Sequence, residues 1–148
     1  MEKIAFEKAG IIKPGIPVLY GGDDKSAGAV IASVAKERGS ELYTTDYSRL
    51  SVSDTKLCGS VFSYRDRENL EIRLLGSYQP RNAALVITAM DILCDLGYNV
   101  TEENLRQGIK DAVWHSRFEV ISKDPTVIFD GAHNPEGISA AVDSIVRY

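Results

Sequence analysis

Lys8, within "IAFEKAGIIKPG" at residues 4 to 15, sits on the apolar side of a short helical pattern. It follows Ile4 by four residues and Ala5 by three, so it shares their face. Burial on that face would disfavour the charged amine and lower its pKa. A neutral lysine amine can take up carbon dioxide as a carbamate, in effect a long carboxylate able to hold or orient magnesium. The alternative is a lysine that snorkels to solvent, as Lys3 and Lys13 are expected to do.

Three further stretches carry chemical potential. In "FDGAHNPEG", residues 129 to 137, a strand ends at Asp130, a glycine turn follows, and Asn134-Pro135 opens a helix. Ligands of open α/β sheets lie at the carboxyl ends of strands. Asp130 could there accept from a ribose hydroxyl, and His133 could donate to a phosphate or carboxylate. Alternatively, both only satisfy the backbone of a tight turn. In "GSYQPRNAA", residues 76 to 84, Gln79 and Asn82 offer paired amide donors and acceptors of the kind that reads a purine edge, or else ordinary helix capping. In "VWHSRFEV", Arg117 could clamp a phosphate bidentately, or form a surface ion pair with Glu119. His115 has no partner at metal-ligand spacing. No GxxxxGK[ST] phosphate loop exists, and the two carboxylates of "GGDDKSAG" would repel a phosphate.

The elements that must position these residues follow from periodicity. A helix is expected over Glu2 to Ala9, stopped by a left-handed Gly10. Lys13-Pro14-Gly15 turns into a strand from Ile16 to Tyr20. A helix capped by Asp24 and ended by Gly39 comes next, then a strand in "ELYTT", which together make a parallel crossover unit. "VFSYR" and "LEIRL" read as an antiparallel hairpin about "DRENL". A helix from Asn82 to Leu96 is apolar around most of its circumference and is expected to be buried. Gly97 closes it, and Thr101 caps the next. Past a boundary near Trp114, "FEVI" and "TVIFD" read as strands, and Ile138, Ala141, Val142 and Ile145 as the core side of a final helix. Only about 35 residues follow that boundary, fewer than the roughly 40 that an unstapled domain needs.

Composition narrows the class. The chain has 148 residues, 44% hydrophobic and 26% charged, which is ordinary for a soluble globular protein of single-domain length. A net charge of −4 argues against a nucleic-acid or acidic-membrane partner. Cys58 and Cys94 lack zinc or thioredoxin spacing and read as free thiols in a reducing cytoplasm. No apolar run is long enough to span a membrane, and no signal-peptide pattern opens the chain.

Together, "IAFEKAGIIKPGIPV", "GSYQPRNAA", "WHSRFEVI" and "VIFDGAHNPEG" resemble, in order and interval, the folylpolyglutamate and dihydrofolate synthases of the Mur ligase superfamily. The resemblance implies an α/β fold: the latter part of a central ATPase domain, with a mixed sheet and helices, over 1–113, and the first strands and helix of a Rossmann-like C-terminal domain over 114–148. It implies ATP-dependent amide formation through an acyl phosphate, joining L-glutamate to a reduced folate or dihydropteroate. Lys8 matches the family's carbamylated, magnesium-supporting lysine, and Asn82, Arg117 and Asp130 match ATP-binding positions. His133 matches a motif histidine beside the nucleotide. The family's phosphate loop and other magnesium ligands have no counterpart, so an internal piece of a larger ligase is expected, inactive alone and self-associating through uncovered surfaces. Tyr78 stands where histidine is frequent, and Ser116 where glycine is common. A stand-alone nucleotide-binding module and a piece of another Mur-type peptide ligase are the alternatives.

Overall fold

Strand, helix and parallel strand follow one another early in the chain, as the periodicity predicts. The computed structural model describes all 148 residues, in two units, Met1–Asp46 and Tyr47–Tyr148. The first contains α1 (Glu2–Ala9), β1 (Val18–Tyr20), α2 (Lys25–Glu37) and β2 (Leu42–Thr44). β1 and β2 pair in parallel, Val18 opposite Leu42. Asp24 caps α2 by accepting from the Ala27 amide at 2.7 Å, and its carboxyl is held below the usual range chiefly by that bond. Ala9, Ile12 and Val34 form a small core with Val18 and Ile31 against it. Gly10 does not take the left-handed stop expected of it. Its φ of −57° is helical, and its N–H turns back to the Glu7 carbonyl. The left-handed glycine comes later, at Gly15 (φ +71°), where the turn into β1 needs it.

The second unit opens with a short 3₁₀ turn, Tyr47–Arg49, followed by an antiparallel sheet of β3 (Leu50–Lys56), β4 (Gly59–Tyr64) and β5 (Arg67–Ile72), in that order. The hairpin expected around "DRENL" turns earlier, at Arg65-Asp66, and β5 takes in most of that stretch. α3 (Gln79–Asp95) and α4 (Glu102–Asp111) cover one face. Phe62, Tyr64, Leu70 and Ile72 from the sheet meet Ala83, Ala84 and Ile87 of α3 and Leu105 and Ile109 of α4 in one core. The buried Tyr64 hydroxyl lies 3.0 Å from Thr88 Oγ1, so the core's polar atoms are paired. Thr101 caps α4 by accepting from the Asn104 amide at 3.1 Å.

α3 is buried on one side only, although its sequence is apolar nearly all round. Val86 and Leu96 are exposed, because a single layer packs against the helix. β6 (Glu119–Lys123) and β7 (Thr126–Phe129) form an antiparallel hairpin, and α5 (Pro135–Arg147) follows. Asn134 caps α5 through the Gly137 amide at 2.7 Å, with Pro135 in the first turn, as the sequence predicts. The expected core side of α5 is not in a core. Ile138, Val142 and Ile145 are exposed, because no layer covers that face; the buried residue of α5 is Ser144. Ser144 Oγ accepts from the Ser77 amide at 2.9 Å, and the Tyr148 hydroxyl accepts from the Gly76 amide at 2.9 Å. Residues 114–148 therefore lie within the same unit as β3–α4. The division at 113/114 is one of element pattern, and as a domain boundary it stays a proposal. No helix is long and apolar enough to cross a membrane.

Candidate functional site

α3 brings Tyr78, Gln79, Asn82 and Val86 to one side by helical spacing. The loop after α4 brings Trp114 and Arg117, the end of β7 brings Asp130, and α5 contributes Ala140. These residues line one cavity of about 570 Å³, within the size range of small-molecule and nucleotide pockets. Three residues singled out as nucleotide contacts, Asn82, Arg117 and Asp130, thus meet in one place. They lie up to 48 positions apart in sequence (Asn82 to Asp130), and the fold brings them together.

Each is differently prepared. Asn82 donates through Nδ2 to Gln79 Oε1 at 3.1 Å, which leaves the Asn82 carbonyl oxygen open toward a ligand donor. Asp130 is strongly used by the backbone: Oδ2 accepts from the Phe118 amide and Oδ1 from the Ala132 amide, both at 2.7 Å. Its turn-satisfying role, one of the two readings of the sequence, is therefore real. It also draws the start of β6 toward the end of β7. Arg117 donates no hydrogen bond and forms no ion pair. The expected rival partner, Glu119, is taken instead by His115 Nδ1 at 2.9 Å and the Ser116 amide at 2.8 Å. The Ser116 amide, and after it the His115 contact, holds the Glu119 carboxyl below its usual range.

The backbone around Arg117 is unusual. Ser116 (φ +63°) and Phe118 (φ +49°) both adopt left-handed conformations, which are costly for residues with a Cβ. The Ser116 carbonyl accepts from the Gly131 amide at 2.8 Å. A Cβ on Gly131 would come within 3.2 Å of that oxygen. Glycine at position 116 would relieve this strain. Strain of this kind is found where a side chain must be aimed.

Tyr78 was visible in the sequence only as a substitution for histidine. In the fold its hydroxyl reaches Asp130 Oδ2 at 3.4 Å, spanning from the start of α3 to the end of β7. Burial, then the Asp130 charge, pushes its phenol up to about 12, so it stays a neutral donor. Trp114, also missed, is an exposed indole on the cavity wall. Neither has a periodicity or spacing signal that would have pointed to it.

The two remaining candidates fall elsewhere. His133 is exposed, its Nδ1 lies 3.0 Å from the Gly131 carbonyl, and it does not line the cavity. Lys8 belongs to the first unit and is exposed at the rim of an apolar cleft of about 280 Å³ with Ile4, Ala5 and Ile12. The burial expected to neutralise it is absent, because the residues burying α1 are Ala5 and Ala9. The snorkelling reading describes Lys8 better. No group of three or more His, Cys, Asp or Glu is placed to hold a metal. Lys8 stands apart from any such group, so the residues of this chain do not by themselves complete a magnesium site.

The geometry defines an α/β fold with a concave, largely apolar site into which Tyr78, Gln79, Asn82, Arg117 and Asp130 bring polar groups. Across almost its whole length the chain is similar to part of the folylpolyglutamate and dihydrofolate synthases. It is 40% identical over 149 residues to the folylpolyglutamate synthase of Lacticaseibacillus casei, covering 96% of this chain and 35% of that protein. Identity to the dihydrofolate synthase/folylpolyglutamate synthase of Escherichia coli is 38% over 135 residues, covering 90% and 30%. Among solved structures, a folylpolyglutamate synthase complex with AMPPCP and folate matches at a TM-score of 0.87 and 37% identity, covering 99% of this chain and 37% of that one. The Thermotoga maritima folylpolyglutamate synthase matches at 0.83 and 34%, covering 99% and 35%. The chain thus spans about a third of the length of these relatives. No protein-family model matches it.

Proposed function

We propose that this chain supplies the adenosine-side wall of the nucleotide site in an ATP-dependent ligase that joins L-glutamate to a folate or dihydropteroate through an acyl phosphate. The observation that carries this reading is the convergence of Asn82, Arg117 and Asp130 on one cavity. Solved complexes of its relatives with AMPPCP, with and without folate, support it. Asn82 and Gln79 would read the base edge, and Asp130 would take a ribose hydroxyl on its remaining lone pairs. The unpaired Arg117 would meet phosphate oxygens, which suits a phosphoryl transfer that needs positioning and charge compensation. His133, exposed at the next turn, would act only on a group reaching beyond the cavity.

ATP is the cofactor proposed. A magnesium ion would need donors besides Lys8, and no step is routed through it. ¹³C-bicarbonate NMR on the chain should show no carbamate resonance that disappears in Lys8→Arg. The isolated chain is proposed to be inactive in ligation, and to self-associate through the uncovered faces of α5 and β7. A strictly monomeric species by light scattering would count against that association.

Isothermal calorimetry with ATP tests the central claim. Arg117→Gln is the cleaner variant, since Arg117 has no internal partner to orphan, whereas Asp130→Ala frees two backbone amides. Loss of measurable ATP binding in Arg117→Gln, with unchanged thermal stability, supports the site. Equal binding by wild type and variant would remove it.

A further inference from the structure

We propose that a second cavity, on the other side of the Trp114–Arg117 loop, binds an aromatic carboxylate. It encloses about 680 Å³ between the β3–β4 turn, the end of β5, the loop after α4 and the β6–β7 hairpin. The volume lies within the range of small-molecule sites, and the cavity is distinct from the nucleotide cavity, which lacks Leu57, Val120 and Lys123.

Its wall and its charge define the ligand class. Leu57, Leu75 and Val120 provide apolar surface beside the indole of Trp114, which is 67% exposed and has no aromatic partner in the fold. An indole so placed offers a face for stacking. The cationic groups are Arg73, Arg117 and Lys123, with His115 beside them. Arg73 shares Asp111 at 3.3 Å, whereas Arg117 and Lys123 have no counter-charge. The cavity's one carboxylate, Glu119, is already taken by His115 and the Ser116 amide. An excess of positive charge over an apolar, aromatic wall recognises a planar aromatic ring bearing a carboxylate, and disfavours a neutral or cationic ring. Trp114 and Arg117 line both cavities, so the two readings are told apart by Lys123, which lines only this one, and Asn82, which does not line it.

Trp114 is the single tryptophan, so its fluorescence reports on the loop between the two cavities. The probe is 2-naphthoate, with 2-naphthalenemethanol as its neutral counterpart, titrated into the 148-residue chain. Saturable quenching by the acid is expected, with the alcohol markedly weaker. Because Trp114 lines both cavities, the variants locate the binding. Lys123→Gln should weaken naphthoate roughly two- to fivefold, the range for one rim charge, and Lys123→Glu should weaken it further. Asn82→Ala, which alters only the nucleotide side, should leave naphthoate binding unchanged. Lys123 is exposed at the end of β6, so both substitutions are compatible with folding, and circular dichroism checks this. Equal affinity for acid and alcohol, no response to Lys123→Glu, or loss of naphthoate binding in Asn82→Ala would each overturn the proposal. Failure of ATP to bind would leave it standing, since the two sites are read by different variants.

Discussion

Arg117 is held between two residues whose backbones lie in the left-handed region, and that arrangement can be tested directly. Ser116 contributes its amide to Glu119 and its carbonyl to Gly131, both of which glycine would retain. Ser116→Gly removes the Cβ penalty at φ +63° and adds unfolded-chain entropy. The balance should favour the variant by about 0.5–1 kcal/mol in urea unfolding. A destabilised Ser116→Gly would mean that the Ser116 hydroxyl does something the fold does not show. Gly131→Ala should do the opposite, because its new Cβ would press within 3.2 Å of the Ser116 carbonyl. Arg117 itself should be neutral for stability, within about 0.5 kcal/mol, as surface changes without partners are. A residue that leaves the fold indifferent and changes ligand binding is the signature of a site.

At the scale of elements, the hairpin and α5 are attached through a few polar latches, with little apolar burial. Ser144 Oγ accepts from the Ser77 amide and donates to the Ala140 carbonyl at 2.7 Å. Tyr148 stacks on Phe118 with ring centroids 5.5 Å apart while its hydroxyl accepts from Gly76. Ser144→Ala orphans a part-buried amide and should cost about 1–2 kcal/mol. Hydrogen exchange should show faster opening in α5 than in α3, whose Ile87 is 0% exposed. Uniform protection across both helices would contradict a weakly latched α5. The helices and their caps at Asp24, Thr101 and Asn134 were legible in the sequence, because a cap is a local hydrogen bond with a fixed spacing. β3 was not. "LSVSDTK" is a polar edge strand with most side chains in water, and its apolar alternation stops after Leu50 and Val52, where the register shifts, so it is too short to read. Which side of α3 and α5 is covered was also illegible, since that depends on layers far away in sequence. The same holds for the site: the motifs named Asn82, Arg117 and Asp130, but only the fold shows that His115 takes Glu119 and leaves Arg117 free.

At the scale of the whole molecule, ionisable groups set how stability depends on pH. In the second unit, Arg67 bridges Asp91 of α3 and Glu102 of α4, each at 2.8 Å, tying β5 to both helices. Partial desolvation pushes the Glu102 carboxyl up, but the hydrogen bonds and charges of Arg67 and Arg106 outweigh it and leave it below the usual range. Glu71 is likewise lowered by Lys110, and Glu119 by the Ser116 amide and His115. A carboxyl with a depressed folded pKa stabilises above its unfolded value, about 4.3 for glutamate, and that contribution drains away as pH falls below it. Tyr78 works with the opposite sign. Its folded pKa of about 12 lies above the ordinary 10, so its contribution is complete below pH 10 and is lost as pH rises toward 12. Urea unfolding followed by Trp114 fluorescence, which reports the second unit, should therefore give a plateau from pH 6 to 9, with falls on both sides. Arg67→Met should reduce the acid fall by the Glu102 share, with Glu71 and Glu119 keeping theirs, and Tyr78→Phe should flatten the alkaline one, each leaving the other limb in place. Identical acid limbs in wild type and Arg67→Met would show that the β5–α3–α4 ion pairs are solvated surface contacts, and the fold would then owe its cohesion there to the Phe62–Ile87–Leu105 core alone.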